Sequence, residues 1–502
     1  MHVRHSIQPG SPVNVIDVRF DEGNQIFTTC TTSGFAIYKA WPMTLLRKRD
    51  LQNGTLSIVQ PMQTTSLLFL VGGGRSPRYP LNKVVLWDDA VGREVGELEF
   101  REQVLGLAVR RDWLCVALKR RVVVFRFVNG VIERYREWET CINKRGLVAV
   151  ATAHNSTLLT IPGKQLGHVQ LVRLPPCPPP PPPPLPSVSS PAPFDTTNSR
   201  IPGSFIAAHS TPLTTLSVAA SGRLLSTTSE QGTLIRIWDA FTGKLVRELR
   251  RGMDKARFYG VSFRGDETEV CVWSDKGTVH IFNIFDRDAE GNKSSNRQSS
   301  LNPLTPFIKL PKYFRSEWSY ASYRLPGPTA HIALSSALGS AGDNPRSIDA
   351  GEAEKCVVGW IQVPVRVEEE FVEEEVMQYQ LLALTYSGCW YRLSIPSSSV
   401  TSSLVSSAVS GTALTGQVPP LASPPPSIAG GAVPSPKDTR HPHRTPSAPR
   451  STTSLPLPSS ARPHRSSPTR GKKGEGNVDS EKRGRECVLE EFRRFGRWDG
   501  WA

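Results

Sequence analysis

The sequence predicts an all-β chain, a seven-bladed β-propeller with long disordered insertions, and three observations predict it. The segment Ser229-Glu-Gln-Gly-Thr-Leu-Ile-Arg-Ile-Trp238 nearly repeats as Ser274-Asp-Lys-Gly-Thr-Val-His-Ile-Phe282, and the spacing of 45 residues fits one propeller blade. Looser echoes at Thr32–Tyr38, Asn82–Trp87, Lys119–Phe125, Gly167–Val172 and Ser387–Leu393 bring the candidate third strands to seven. Each is a polar or glycine-bearing turn that leads into β-branched and aromatic residues, the composition suited to a pleated, half-buried surface.

In chain order, four of these units lie before residue 174, and Trp87-Asp88 carries the ending that gives WD-repeat propellers their name. Residues 175–203 then interrupt the pattern. Positions 175 to 186 are almost all proline, a composition that forms a stiff polyproline II spacer and no core. The two near-copies follow, and Gly232 and Gly277 allow their turns a positive φ. Ser387–Leu393 starts the third strand of blade seven. Residues 397–483 are Ser/Pro/Ala-rich and then basic, so a second disordered insertion is expected within blade seven. Strand pattern returns at Glu486–Trp498 with apolar Val488, Phe492 and Phe495, and such a strand needs a docking edge. Loop-closure entropy grows only logarithmically, so 484–498 is expected to close the last blade as its outer strand. The propeller therefore comprises 8–396 plus 484–498.

The chain has 502 residues, 43 of them proline, and 60 Lys and Arg against 45 Asp and Glu give a formal charge of +15. That balance favours an anionic partner, a membrane surface or a nucleic acid, although part of the charge sits in the insertion at 397–483. No run of 18 apolar residues occurs, and Met1-His-Val-Arg-His5 lacks a signal-peptide stretch, so a soluble cytosolic monomer is expected. Eight cysteines, at 30, 115, 141, 177, 271, 356, 389 and 487, form no C-x-x-C pair and read as reduced core thiols. No cofactor and no metal are expected.

The segment Leu249-Arg-Arg-Gly252 stands between the two near-copies. Successive strand residues face opposite ways, so Arg250 and Arg251 can serve two separate anion sites on an exposed blade edge. A guanidinium fork matches phosphate oxygens, hydroxyls and imidazole add hydrogen bonds, and Gly-Thr turns let backbone N–H groups approach an anion.

His209, Ser229, Gly232, Thr233, Arg236, the Leu249–Gly252 block, Ser274, Thr278 and His280 together resemble the signature of the PROPPINs, β-propellers that bind polyphosphoinositides. Leu70–Asp89 and Leu310–Ser319 resemble its Svp1-like subgroup of fungal proteins and animal relatives. The resemblance implies two rim sites for phosphatidylinositol 3-phosphate and 3,5-bisphosphate. Arg250 would serve the first with His209, Thr227, Ser229, Thr233 and Arg236, and Arg251 the second with Ser274, Thr278 and His280. It also implies that residues 285–309 form a loop between the outer strands of blade six that enters the bilayer, here through Leu304, Phe307 and Ile308 beside Lys309. Peripheral attachment to vacuole, endosome and preautophagosomal membranes would serve autophagy, including piecemeal microautophagy of the nucleus, and vacuolar traffic. A lipid-transfer protein is the implied partner on blades one to three, where Phe20-Asp-Glu-Gly23 departs from the family's Phe-Asn-x-Asp pattern.

Enzyme readings fail on the same residues. Gly72-Gly-Gly74 lacks the Gly-Lys-Ser/Thr ending of a nucleotide loop, so it reads as a turn between strands. Cys115 and Cys487 each precede an arginine by six positions, the count of a phosphatase loop, but the intervening residues hold no glycine and read as strand. A non-catalytic adaptor is expected. A generic WD-repeat scaffold for protein assembly is the alternative, its polyproline run suited to SH3-like domains. A nucleic-acid binder is the third reading, opposed by the lack of aromatic residues in the basic stretch Lys437–Arg470.

Overall fold

The structure, a computed structural model, describes residues 15–174, 205–285, 296–297, 316–326, 354–395 and 485–496, apart from positions 52–53, 63–64, 129, 154–155, 157 and 370–371. Residues 398–479 form a separate unit that lies outside the described residues, as do the proline-rich stretch 175–203 and Leu304, Phe307 and Ile308.

Every described element is a strand, and the strands form seven sheets, one per blade. Blade 1 is β1 (Val15–Phe20), β2 (Ile26–Thr31), β3 (Gly34–Lys39) and β4 (Thr44–Asp50) in order of sequence and of pairing. Blade 2 is β5 (Leu56–Pro61), β6 (Leu67–Gly72), β7 (Lys83–Asp88) and β8 (Arg93–Glu99). Blade 3 is β9 (Gly106–Arg110), β10 (Trp113–Ala117), β11 (Arg121–Val128) and β12 (Val131–Glu139). Blade 4 is β13 (Ala149–Val150), β14 (Leu158–Pro162), β15 (His168–Arg173) and β16 (Phe205–Ala207). Blade 5 is β17 (Leu213–Val218), β18 (Leu224–Ser229), β19 (Leu234–Asp239) and β20 (Leu245–Arg250). All seven segments picked out by the repeat become third strands.

The second strands are almost wholly buried, because both their faces meet neighbouring blades. Ile58, Phe69 and Leu86 of blade 2 pack with Leu107, Val116 and Phe125 of blade 3, and equivalent clusters fill the other junctions. Outer strands such as β8, Arg-Glu-Val-Gly-Glu-Leu-Glu, are exposed and charged. Charge along an open edge discourages pairing with another chain.

Blades 6 and 7 depart from the simple order. Blade 6 pairs β21 (Phe258–Phe263), β22 (Glu269–Ser274), β23 (Thr278–Asn283) and β25 (Ala321–Arg324). Between its last two strands, β24 (Glu317–Trp318) crosses to blade 5 and runs parallel to β20, with Arg250 opposite Trp318. Blade 7 pairs β26 (Cys356–Glu369), β27 (Val372–Thr385), β28 (Cys389–Ser394) and β30 (Val488–Arg494), and β29 (Arg485–Glu486) adds a parallel edge to β25.

Among the described residues no strand is shared by the last blade and the first, and hydrogen bonds and ring packing join them. Trp390 Nε1 donates to Ala40 O at 3.1 Å, Tyr386 hydroxyl to Asp17 Oδ1 at 3.1 Å, and Gly496 N to Tyr38 hydroxyl oxygen at 3.1 Å. Phe495 meets the Phe27 ring edge-on at 5.3 Å between centroids.

Candidate anion-binding sites

The two Ser-to-Gly-Thr units form matching reversals between second and third strands. Gly232 N donates to Ser229 O at 2.9 Å, and Gly277 N to Ser274 O at 3.2 Å. Both glycines have positive φ, 70° and 64°. A Cβ on Gly232 would also overlap Ala256 O, since Ala256 N returns a 2.9 Å bond to Gly232 O. The loop that follows Arg251 is thus pinned against the blade-five turn.

At the junction of blades 4 and 5, the end of β16 presents His209, whose N–H joins that of Ala208 on Gly167 O. His209 Nε2 lies 3.0 Å from Thr227 Oγ1, which also accepts the Trp238 Nε1 hydrogen at 2.9 Å. Thr227 is fully buried and its hydroxyl is engaged by two rings, so it positions His209 and presents nothing to a ligand. Burial first, and then the charge of Arg236, press the His209 pKa down to about 4. Arg236 is paired across the strand with Glu248, both its Nε and Nη2 lying 3.0 Å from Glu248 Oε2, while Nη1 donates to Ala208 O. Its charge is therefore already balanced. Ser229 ends β18 nearly buried, and Thr233 is half-buried on the turn.

Alternation along β20 separates Leu249 from Arg250, and the strand ends there, before Arg251. Leu249 enters the core between blades 5 and 6, and Trp238 and Leu225 enter that between blades 4 and 5. Arg250 shares the register face of Arg236 and Glu248 and has Ser316 Oγ 3.4 Å from its Nε. The exposed edge expected for both arginines does not hold. Arg250 is only 7% exposed, covered by the returning strand β24. Arg251 follows the strand, half-buried, and its charge acts on His280 of blade 6.

There, His280 on β23 is reached by two guanidinium groups. Burial, then Arg251 and Arg297, hold its pKa down at about 3, so the imidazole is neutral. Its Nδ1 lies 3.0 Å from Ser319 Oγ. Its Nε2, like Arg251 Nε, is shielded from solvent and has no hydrogen-bond partner. Ser274 is 1% exposed at the end of β22, with its Oγ 3.4 Å from Lys276 N, and Thr278 is half-buried one turn away. Burial lowers the Arg251 pKa against the pull of Asp275 and Asp254.

Sequence reasoning missed Arg297, Ser319 and Glu248. Arg297 Nε donates to Ser319 O at 2.9 Å, and its backbone bridges Trp318, so the two ends of the blade-six excursion meet beside His280. Asn296 anchors this stem. Its amide accepts from Asn283 N at 2.8 Å and donates to Asn283 O at 2.7 Å and Glu317 Oε2 at 2.6 Å. No periodic signal in the sequence marks these residues.

The described cysteines are free thiols, all buried except the half-buried Cys141. Burial pushes Cys115 and Cys487 up to about 12, which leaves neither a thiolate nucleophile. Among the described residues no group of three His, Cys, Asp or Glu could hold a metal ion. No helix of the described residues is long and apolar enough to cross a membrane.

A sequence model described as PROPPIN matches residues 193–300, which span the first constellation and most of the second. The SVP1-like protein 2 of Pichia angusta is 32% identical over 312 residues, 62% of this chain and 81% of that protein. The SVP1-like protein 2 of Saccharomyces cerevisiae is 28% identical over 401 residues, covering 72% and 83%. Autophagy-related protein 18e of Arabidopsis thaliana is 29% identical over 329 residues, covering 64% and 80%. Among solved structures, Kluyveromyces lactis Hsv2 with a complete loop 6CD superposes with a TM-score of 0.51 at 20% identity, over 76% of this chain and 93% of that one.

Proposed function

The chain belongs to the PROPPIN family, and from that premise we propose that it is a non-catalytic phosphoinositide-binding adaptor, held peripherally on membranes in autophagy. The observation that carries this reading is that Arg251 Nε and His280 Nε2 are both shielded from solvent and meet no partner in the protein. Buried polar groups without partners cost free energy; a phosphate oxygen would accept from Arg251 Nε, and from His280 Nε2 in the tautomer whose Nδ1 accepts the Ser319 hydroxyl hydrogen. Ser274, Thr278 and the turn that carries them add hydroxyl and backbone N–H donors, as an anion site requires.

The first site has Arg250 as its charge, with His209, Ser229 and Thr233 as hydrogen-bonding groups. Arg236 and Thr227 hold the frame. We assign phosphatidylinositol 3-phosphate and 3,5-bisphosphate as the headgroups, and vacuole, endosome and preautophagosomal membranes as the surfaces, with microautophagy of the nucleus among the processes served. Leu304, Phe307 and Ile308 would add apolar burial, worth about 25 cal/mol per Å². Two headgroups and one loop on a rigid disc would act multivalently.

A protein partner has its own observation. A cleft of about 580 Å³ between blades 1 and 2 is lined by Ile37, Leu46, Pro61, Met62 and Leu68. Leu45 and Leu46 beside it are 49% and 42% exposed, which suits an apolar protein surface such as that of a lipid-transfer protein. The family reading is tested by flotation with liposomes containing phosphatidylinositol 3-phosphate, the 3,5-bisphosphate, or phosphatidylserine alone. Arg250→Thr or Arg251→Thr should each weaken headgroup-selective flotation, and the double variant should abolish it. Undiminished selective flotation by the double variant would refute the assignment.

A further inference from the structure

The connection from blade 5 to blade 6 leaves the end of β20 at Arg251 and rejoins the fold at Ala256. Ala256 is 3% exposed, and its N–H bonds Gly232 O at 2.9 Å. Arg257 N then donates to Asp275 Oδ1 at 2.9 Å, and Asp275 N to Arg257 O at 2.9 Å. Gly252-Met-Asp-Lys255 therefore bridges two fixed points. The bridge stands clear of the protein, since a Cβ added at Gly252 would meet nothing within 4 Å.

Met253 on this bridge is 72% exposed, more than any other large apolar side chain among the described residues. Singly exposed apolar residues are ordinary on outer strands, where Val95, Val131 and Leu245 stand. Met253 differs in its position, two residues beyond Arg251. Consecutive Cα atoms are 3.8 Å apart, so the Met253 Cα lies within about 7.6 Å of that of Arg251. A guanidinium that holds a lipid phosphate stands in the headgroup layer, and interfacial apolar groups sit roughly 5–10 Å into the boundary between headgroups and acyl chains. The two lengths match. Lys255 and Lys276, the second on the neighbouring blade-six turn, are also exposed. Long cationic side chains at such a boundary keep their stems on apolar surface and their ammonium groups among lipid phosphates. The acid between them, Asp254, acts on Arg251.

We propose that Met253 is a membrane anchor: the 252–255 turn enters the interface of a phosphoinositide-bearing bilayer, with the thioether among acyl chains and Lys255 and Lys276 against lipid phosphates. This role rests on the headgroup reading of the second site and deepens it. Met253 has no polar hydrogen to give a headgroup, so it adds to affinity for the bilayer and leaves headgroup recognition to Arg251 and His280. Because the turn is tied at both ends, little chain entropy is lost when it inserts.

The test separates headgroup binding from bilayer binding, with the full chain in both arms. In titration calorimetry with soluble short-chain phosphatidylinositol 3-phosphate, Met253→Ser binds as the wild type does. On phosphatidylcholine vesicles that carry the same headgroup it binds about ten-fold more weakly, and Met253→Leu restores the affinity. Melting scans of the two variants match the wild type, as expected of an exposed position. A fluorophore attached at Met253→Cys, in a Cys141→Ser and Cys177→Ser background, is quenched by nitroxides placed high on the acyl chains. Vesicle affinity unaltered by Met253→Ser, an equal loss in the soluble arm, or a label that those nitroxides leave bright overturns the role of Met253 alone. Absence of soluble headgroup binding by the wild type overturns the headgroup reading and the anchor with it.

Discussion

Arg236, Glu248 and Arg250 lie on one face of blade 5, and Glu248 is the cross-strand partner of Arg236. Glu248 balances Arg236 at 3.0 Å, so a phosphate at the first site meets Arg250 beside a nearby carboxylate. Glu248→Gln should therefore tighten headgroup binding at the first site several-fold, measured by titration in an Arg251→Thr background. Arg250→Thr should also lower the melting temperature, because the side chain is buried beneath β24. The arginine pair, His209, His280 and the Ser-to-Gly-Thr turns stand out in the sequence as candidates because each is a local pattern. The roles of Thr227 and Glu248 carry no local pattern, because they depend on cross-strand register and on Trp238.

The base of the blade-six excursion is an element whose order rests on few groups. Asn296 is 8% exposed and satisfies both backbone groups of Asn283 while it bonds Glu317. Asn296→Ala leaves buried backbone groups without partners, at a cost of about 1–3 kcal/mol. The variant should melt earlier and lose affinity at the second site, where Arg297 lies, with the first site changed less; thermal scans and headgroup titration read both effects. The third strands were legible from turn chemistry and β-rich runs. The parallel additions β24 and β29 were not, since two-residue strands carry no period and their partners lie in other blades. Nor did alternation mark how far the β26–β27 hairpin extends, with 14 residues in each strand.

Across the whole molecule, buried ionisable groups give stability an asymmetric pH profile. His209 and His280 titrate at about 4 and 3 when folded, below the ordinary histidine value near 6.5, so the unfolded chain binds more protons between these limits. Their stabilisation is complete above about pH 6.5 and is lost as pH falls toward the folded values, by about 1.4 kcal/mol per pH unit for each. Glu22 acts in the opposite sense. Its folded pKa of about 8 exceeds the unfolded value, so its contribution is present at low pH and lost as pH rises to 8. Melting temperature should fall steeply below pH 6, and Glu22→Gln should flatten the decline between pH 6.5 and 8.

The proposed headgroup sites are two, divided between Arg250 and Arg251. Titration calorimetry with a soluble short-chain phosphatidylinositol 3-phosphate counts them directly. The account predicts two molecules bound per wild-type chain, one for Arg250→Thr, one for Arg251→Thr and none for the double variant. A stoichiometry of two that survives either single substitution, in a chain whose melting scan shows it folded, would contradict it.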